Sequence, residues 1–221
     1  MNAMKGKNGV IFGSTGLIGY KVATELAKLD TNLILQGTSR KKLTNLDNEI
    51  KLMKKKATLF QANVLNKEFY QSLLEMIGSR FHKIDILINL IGLFRGLKPI
   101  THLSHKEWDE LIEINFSSYW RILKELEPLI RKSEKPKIIT ITNSEVSKGK
   151  EYHNTFSICK NGMNSLIEIF KKENKNLKIE TYLIETEVFN DGMSSKLSNN
   201  KKLDEISFEK TVNKILTLCK Q

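Results

Sequence analysis

Cysteine is almost missing from this chain: Cys159 and Cys219 are the two thiols in 221 residues. Two thiols make neither a disulfide framework nor a four-cysteine zinc site, so neither staple is expected to hold the fold. Proline is scarce, at Pro99, Pro128 and Pro136. With no Gly/Pro/Ser-rich linker, repeat or low-complexity tract to divide the chain, residues 1–221 are expected to form a single domain. Long apolar runs are missing too. The longest, IDILINLIGLF at 84–94, falls far short of the ~20 residues that a bilayer crossing needs. Nothing apolar precedes Val10, so no secretory signal and a reducing cytoplasm are expected. Positive charge, by contrast, is plentiful: 36 Lys+Arg against 25 Asp+Glu give a net charge of +11. Such a balance can mark a nucleic-acid or membrane surface. Here the cations are scattered, at 41–42, 54–56, 171–172 and 201–202, where solvated helix ends and loops are expected. Neither nucleic acid nor membrane is therefore the expected partner.

Apolar strand-like runs alternate with helical patterns. Strands are predicted at 8–14, 32–38, 57–64, 84–92, 137–144 and 178–185. Leu17, Val22, Leu26 and Leu29 form a helical stripe, and further helices are predicted near 40–55, from Asn66 as N-cap to about 77, from Ser104 as cap through about 131, over 155–172, and over 207–219 with Ser207 as cap. The near-continuous apolar run at 84–92 suits a central parallel strand covered on both faces. Alternation of this kind predicts a doubly wound parallel sheet with helices on both faces, a Rossmann-like three-layer α/β/α fold of about six strands.

Between the first strand and the first helix, Gly13, Ser14, Thr15, Gly16, Leu17, Ile18 and Gly19 follow in succession. Glycines let a backbone turn sharply and come close to a pyrophosphate, while the free N–H groups of the helix start face the phosphates. A tight turn without ligand is the plainer alternative. At the end of strand two, where an acid would hold a ribose 2′-hydroxyl, the chain has Thr38, Ser39, Arg40 and Lys41. Hydroxyls and cations there favour a 2′-phosphate, which points to NADP rather than NAD. An ordinary basic start to helix two is the alternative.

These features resemble the short-chain dehydrogenase/reductase family, from about Lys7 to Glu185. Gly13 to Gly19 matches the family's glycine signature. Asn63 and Val64 stand where an acid–hydrophobic pair contacts adenine, with the acid missing. Asn89 to Gly92, with Ile91 between, resembles the Asn-Asn-Ala-Gly segment. Asn115 matches the helix-four catalytic asparagine. The resemblance implies a dinucleotide cofactor held by these residues and by Lys160, and a carbonyl or alcohol substrate. It also implies a homodimer or homotetramer paired through the helices near 104–131 and 155–172, which suits Trp108 and Trp120. The final family strand is expected to be absent.

The family's chemistry uses a serine after strand five and a Tyr-x-x-x-Lys motif. Lys160 matches the lysine, but Phe156 stands four residues before it, and thirteen residues earlier lies Asn143, next to Ser144. The Pro-Gly turn after strand six becomes Glu185-Thr186. A phenylalanine has the ring without the proton, and a positioned general acid supplies about 10²–10⁴ in rate. The expected consequence is an NADP(H)-binding protein of weak or absent oxidoreductase activity, a pseudoenzyme. Two alternatives stay open. Tyr152 could act as a non-standard donor in an active NADP-dependent carbonyl or alcohol oxidoreductase, with Ser144 as the serine. If both are helical, however, eight residues put Tyr152 about 12 Å from Lys160 along the axis, so that loop geometry would have to bring the hydroxyl to the lysine. Otherwise the cleft serves a basic nucleotide- or RNA-binding module. His102 and His105 lack the companions of a metal site. Cys159 beside Lys160 is either a reactive thiol or a buried helix residue, and Glu185 and Glu187 either disfavour anionic substrates or lie in a solvated loop.

Overall fold

The structure is a computed structural model that describes residues 3–143, 146, 148–186 and 205–221. Six parallel strands form one sheet: β1 (Asn8–Phe12), β2 (Asn32–Gly37), β3 (Ala57–Gln61), β4 (Ile86–Asn89), β5 (Lys137–Thr142) and β6 (Glu180–Glu185). Their order is β3-β2-β1-β4-β5-β6. Strand order reverses between β1 and β4, and the crevice beyond the carboxyl ends of those two strands is where ligands bind in open α/β sheets.

The helices are α1 (Leu17–Lys28), α2 (Arg40–Leu52), α3 (Lys67–Gly78), α4 (His105–Ile112), α5 (Ser118–Ile130), α6 (Asn154–Glu173) and α7 (Glu205–Lys220). Strand side chains alternate between two cores, as the pleat requires. Val10, Phe12, Leu87 and Ile138 face α3, α5 and α6, packing with Leu73, Tyr119, Ile122 and Met163. Ile11, Ile86, Ile88 and Ile139 face α1, α2 and α7, packing with Val22, Leu26, Leu46 and Ile215. Full burial of each such side chain contributes about 1.5–3 kcal/mol.

Several expected caps are in place. Asn66 accepts from Glu68 N–H at the start of α3. Ser104 and Glu107 form a reciprocal capping box on α4. Other expectations are corrected. The helix predicted through about 131 is not one α-helix, because a π-helical turn, Glu113–Ser117, separates α4 from α5. Ser207 lies within α7, which already begins at Glu205. The strand predicted at 84–92 ends at Asn89, so that Leu90, Ile91 and Gly92 are free to line the crevice. The edge strand β6 carries Glu180 and Glu185 at its two ends, charges that discourage edge-to-edge pairing.

Candidate active site

The glycine turn is closed by contacts that leave no room for side chains. Gly13 has φ +76, and a Cβ there would lie 2.9 Å from the Leu90 carbonyl carbon and oxygen. A Cβ on Gly19 would meet the Gly13 oxygen at 2.4 Å, so the first turn of α1 rests directly on the turn. Gly16 differs: its Cβ would be in ordinary contact with the Gly13 oxygen, at 3.5 Å, and with nothing else nearby. Gly16 is also the N-cap of α1, whose first turn has no side-chain cap and no acid. Its backbone N–H groups are a ready anion site.

Gln36 braces this turn, a role with no signal in the sequence pattern. Its side-chain oxygen accepts from Gly13 N–H at 3.0 Å and its amide donates to Ala62 O at 2.7 Å. Its backbone oxygen accepts from Ser14 N–H and, at 2.8 Å, from the Ser14 hydroxyl. The Ser14 side chain is thus fully buried and committed to β2. Thr15 packs its methyl against Gly37, where a Cβ would come within 2.6 Å. Leu17 and Ile18 open α1, Leu17 exposed and Ile18 half-buried.

Beyond β2, Ser39 caps α2 by accepting from Lys42 N–H, and Arg40 follows in a first turn free of acids. Val64 is a core residue whose carbonyl accepts from the Tyr70 hydroxyl at 2.7 Å. Asn63 folds its side chain onto Leu65 N–H. At the end of β4, Asn89 is 2% exposed; its Oδ1 accepts from Ile91 N–H at 3.2 Å, and its Nδ2 has no partner among the described residues. An orphaned buried amide costs about 1–3 kcal/mol, which makes this N–H group a candidate donor to a bound dinucleotide. Ile91 and Gly92 are half-buried beside it.

Asn115 sits in the π-helical turn, fully engaged. Its Oδ1 accepts from Leu93 N–H at 2.7 Å, and its Nδ2 donates to Leu93 O and Leu111 O, both at 2.9 Å. Leu111 O is the carbonyl that a regular α-helix would give to the Asn115 backbone N–H. The wider turn frees that carbonyl, and π-turns of this sort recur at functional sites.

Lys160 is buried in α6, with Nζ donating to Ile141 O at 3.0 Å, close to the carboxyl end of β5. Burial pushes its pKa down to about 8, opposed by the neighbouring Cys159. The Cys159 thiol is itself buried and pushed up to about 11, which makes it an inert packing residue. Asn143 is buried, its Oδ1 accepting from Val146 N–H. Ser144 and Glu187 lie outside the described residues. Thr186 donates its hydroxyl to Thr142 O, tying the end of β6 to β5.

Tyr152 precedes α6 and lies outside it, in the left-handed region at φ 61, and is 53% exposed. The axial separation expected for two helical residues therefore does not apply to Tyr152 and Lys160. The turn is clamped to the loop after β4: Lys98 N–H donates to Tyr152 O at 2.9 Å, and Asn154 Nδ2 reaches Gly96 O and Tyr152 O. Phe156, 2% exposed, packs with Phe94 and Val146 and lies beneath the Lys160 ammonium, 5.4 Å from ring centre to Nζ. Among the described residues, no three His, Cys, Asp or Glu side chains converge on a metal site.

The family model for short chain dehydrogenases matches residues 7–202, and the chain belongs to that family. It is 24% identical over 203 residues to nodulation protein G of Rhizobium meliloti, covering 91% of this chain and 81% of that protein. To the (S)-acetoin-forming diacetyl reductase of Staphylococcus epidermidis it is 26% identical over 179 residues, 80% of this chain and 69% of the relative. In fold it matches a short chain dehydrogenase of Shigella flexneri 2a complexed with NADP, with a TM-score of 0.87 at 18% identity over 100% of this chain and 92% of the other.

These findings correct the expectation of a blunted, degenerate family member. The family match runs through both Tyr152 and Lys160, so the chain retains a phenol and an ammonium on this stretch. Phe156 does not leave the region without a hydroxyl, and its ring is used in packing. The eight-residue spacing counts against Tyr152 only where both residues are helical, and Tyr152 lies in a left-handed turn outside α6. The pseudoenzyme expectation falls with it.

Proposed function

We propose that the protein is an active NADP(H)-dependent oxidoreductase of carbonyl and alcohol groups. One observation carries this: a lysine ammonium is held buried at the crevice end of β5, at a pKa near 8. A fold alone has no need of that charge, which an apolar residue would replace at no loss of stability.

When bound, the nicotinamide supplies or accepts the hydride. The chain's own residues do the rest. Backbone N–H groups at Leu17 and Ile18 would hold the pyrophosphate, with Gly13, Gly16 and Gly19 shaping the turn. Asn89 Nδ2 donates to the dinucleotide. Asn63, Val64, Ile91 and Gly92 wall the crevice. Ser39 and Arg40 meet a 2′-phosphate, which selects NADP(H) over NAD(H), and the NADP complex of the Shigella relative supports that choice. Tyr152 donates its phenolic proton to the carbonyl oxygen as the alkoxide forms, and takes it back in the oxidising direction. Asn115 fixes the loop that follows Gly92. The diacetyl reductase named among the relatives supports a small carbonyl compound as the substrate class.

We further infer that two copies associate through α5 and α6. A groove of about 640 Å³ lies between them, lined by Phe116, Trp120, Leu123, Leu166, Ile169 and Phe170. Trp120 and Ile169 are 49% and 56% exposed there. Among the described residues no helix is long and apolar enough to cross a membrane, and two buried free thiols suit a reducing cytoplasm.

Single-turnover oxidation of bound NADPH against a panel of aldehydes and ketones tests the proton donor. Tyr152→Phe is expected to slow hydride transfer by about 10²–10⁴ while leaving NADPH affinity unchanged. Phe156→Tyr is expected to bring no gain. An unslowed Tyr152→Phe, with a faster Phe156→Tyr, would overturn the assignment.

A further inference from the structure

The cation run at 54–56 takes no part in the site described above. α2 ends in a Schellman-type turn: Lys54 N–H donates to Lys51 O at 2.8 Å and Lys55 N–H to Ile50 O at 3.1 Å. Lys54 consequently sits at φ 59, a left-handed conformation that glycine adopts at less cost. The chain then enters the edge strand β3 at Ala57. An open depression of about 450 Å³ lies between the end of α2 and this edge, lined by Ala57 and Leu59 as its apolar residues and by Asp47, Lys51, Lys54, Lys55 and Lys56 as its charged ones.

Two cations lining or rimming this cavity are already neutralised: Lys51 pairs with Asp47 and Lys55 with Asp30. Neither Lys54 nor Lys56 has a carboxylate partner among the described residues. Lysines at a helix C-terminus also serve the helix dipole, but that service does not need an apolar floor between them. The volume falls within the range of small-molecule pockets.

We propose that this cavity binds a small phosphate ester, its phosphate between Lys54 and Lys56 and its apolar body on Ala57 and Leu59. The site lies where β3 begins, at the opposite end of the sheet from the glycine turn, so it is independent of the dinucleotide crevice and of the reaction proposed for it.

Fluorescence titration with 1-naphthyl phosphate, at low ionic strength and with NADPH in excess, tests this. Binding is expected to saturate at one molecule per chain, to be displaced by inorganic phosphate, and to exceed the binding of 1-naphthol. It is expected to weaken tenfold or more in the double variant K54Q/K56Q and to be unchanged in Arg40→Gln, whose lost charge belongs to the dinucleotide crevice. Both lysines of the double variant are exposed, and an unchanged circular dichroism spectrum confirms its fold. Equal affinity in K54Q/K56Q, loss in Arg40→Gln, or no binding while NADPH is in excess would each overturn the proposal.

Discussion

Replacing Lys160 by Met separates what the fold wants from what the chemistry wants. Burial lowers the Lys160 pKa from 10.5 to about 8. At roughly 1.36 kcal/mol per pH unit, that fall corresponds to about 3 kcal/mol of cost to the folded state when the lysine is charged. Met removes this cost but leaves Ile141 O without its donor, a loss of about 1–3 kcal/mol. At pH 7 the variant should therefore equal or slightly exceed the parent in stability, by about 0–2 kcal/mol. The pH dependence is sharper. Between about 8 and 10.5 the unfolded chain keeps a proton that the folded chain has lost, so the parent's stability rises with pH across that window. Below pH 8 the full cost is present, and above 10.5 it has gone. Urea unfolding of parent and variant, measured in parallel from pH 7 to pH 10.5, should show the parent gaining about 3 kcal/mol on the variant. Other lysines titrate in both proteins and cancel. A difference that stays flat across the window would show that Lys160 titrates as an ordinary exposed lysine, and the picture of a buried ammonium would be wrong.

Three further outcomes follow from the same geometry. Gly19→Ala forces a methyl to within 2.4 Å of the Gly13 oxygen; it should cost about 1–3 kcal/mol in thermal unfolding and weaken NADPH binding by calorimetry, while unaltered affinity would contradict a phosphate-binding turn. Asn115→Ala removes three hydrogen bonds, one of them buried and two partly buried, and should lower stability to urea by about 2–4 kcal/mol; a loss within error would mean that the π-helical turn holds itself. Glu107 is held down at about 2 by Lys98 and by the Ser104 backbone and hydroxyl. Its folded pKa is depressed, so its contribution is present above about 4.5 and fades as pH falls towards 2; Glu107→Gln should accordingly lower the melting temperature at pH 7, with the gap closing in acid.

The fold was legible because its signals are local. Alternating apolar runs and helical stripes placed every strand within a few residues, and Asn66 and Ser104 announced their caps through side-chain chemistry. The crevice was legible for the same reason, since Gly13, Gly16 and Gly19 are read from spacing. The reaction centre was not. The place of Tyr152 depends on a left-handed turn just before α6, held by Lys98 from the distant loop after β4 and by Asn154 at the first position of α6, and no local pattern announces that turn. Gln36 was invisible because its role is a set of hydrogen bonds to Gly13, Ser14 and Ala62, far away in sequence. The π-helical turn at Asn115 was hidden by a hydrophobic pattern that continues unbroken through it. Ser14 went the other way: its place in the glycine turn suggested a ligand contact, yet its hydroxyl is spent on Gln36 O.

In the proposed reaction the crevice and the Tyr152 phenol act together on one carbonyl group. Incubating the protein with NADPH carrying deuterium at C4 of the dihydropyridine ring, together with small ketones and aldehydes including diacetyl, reads this directly by mass spectrometry of the alcohols formed. Deuterium on the carbinol carbon, and its loss in Tyr152→Phe, is the expected result. Tight NADPH binding with no label transferred to any carbonyl compound would contradict the account.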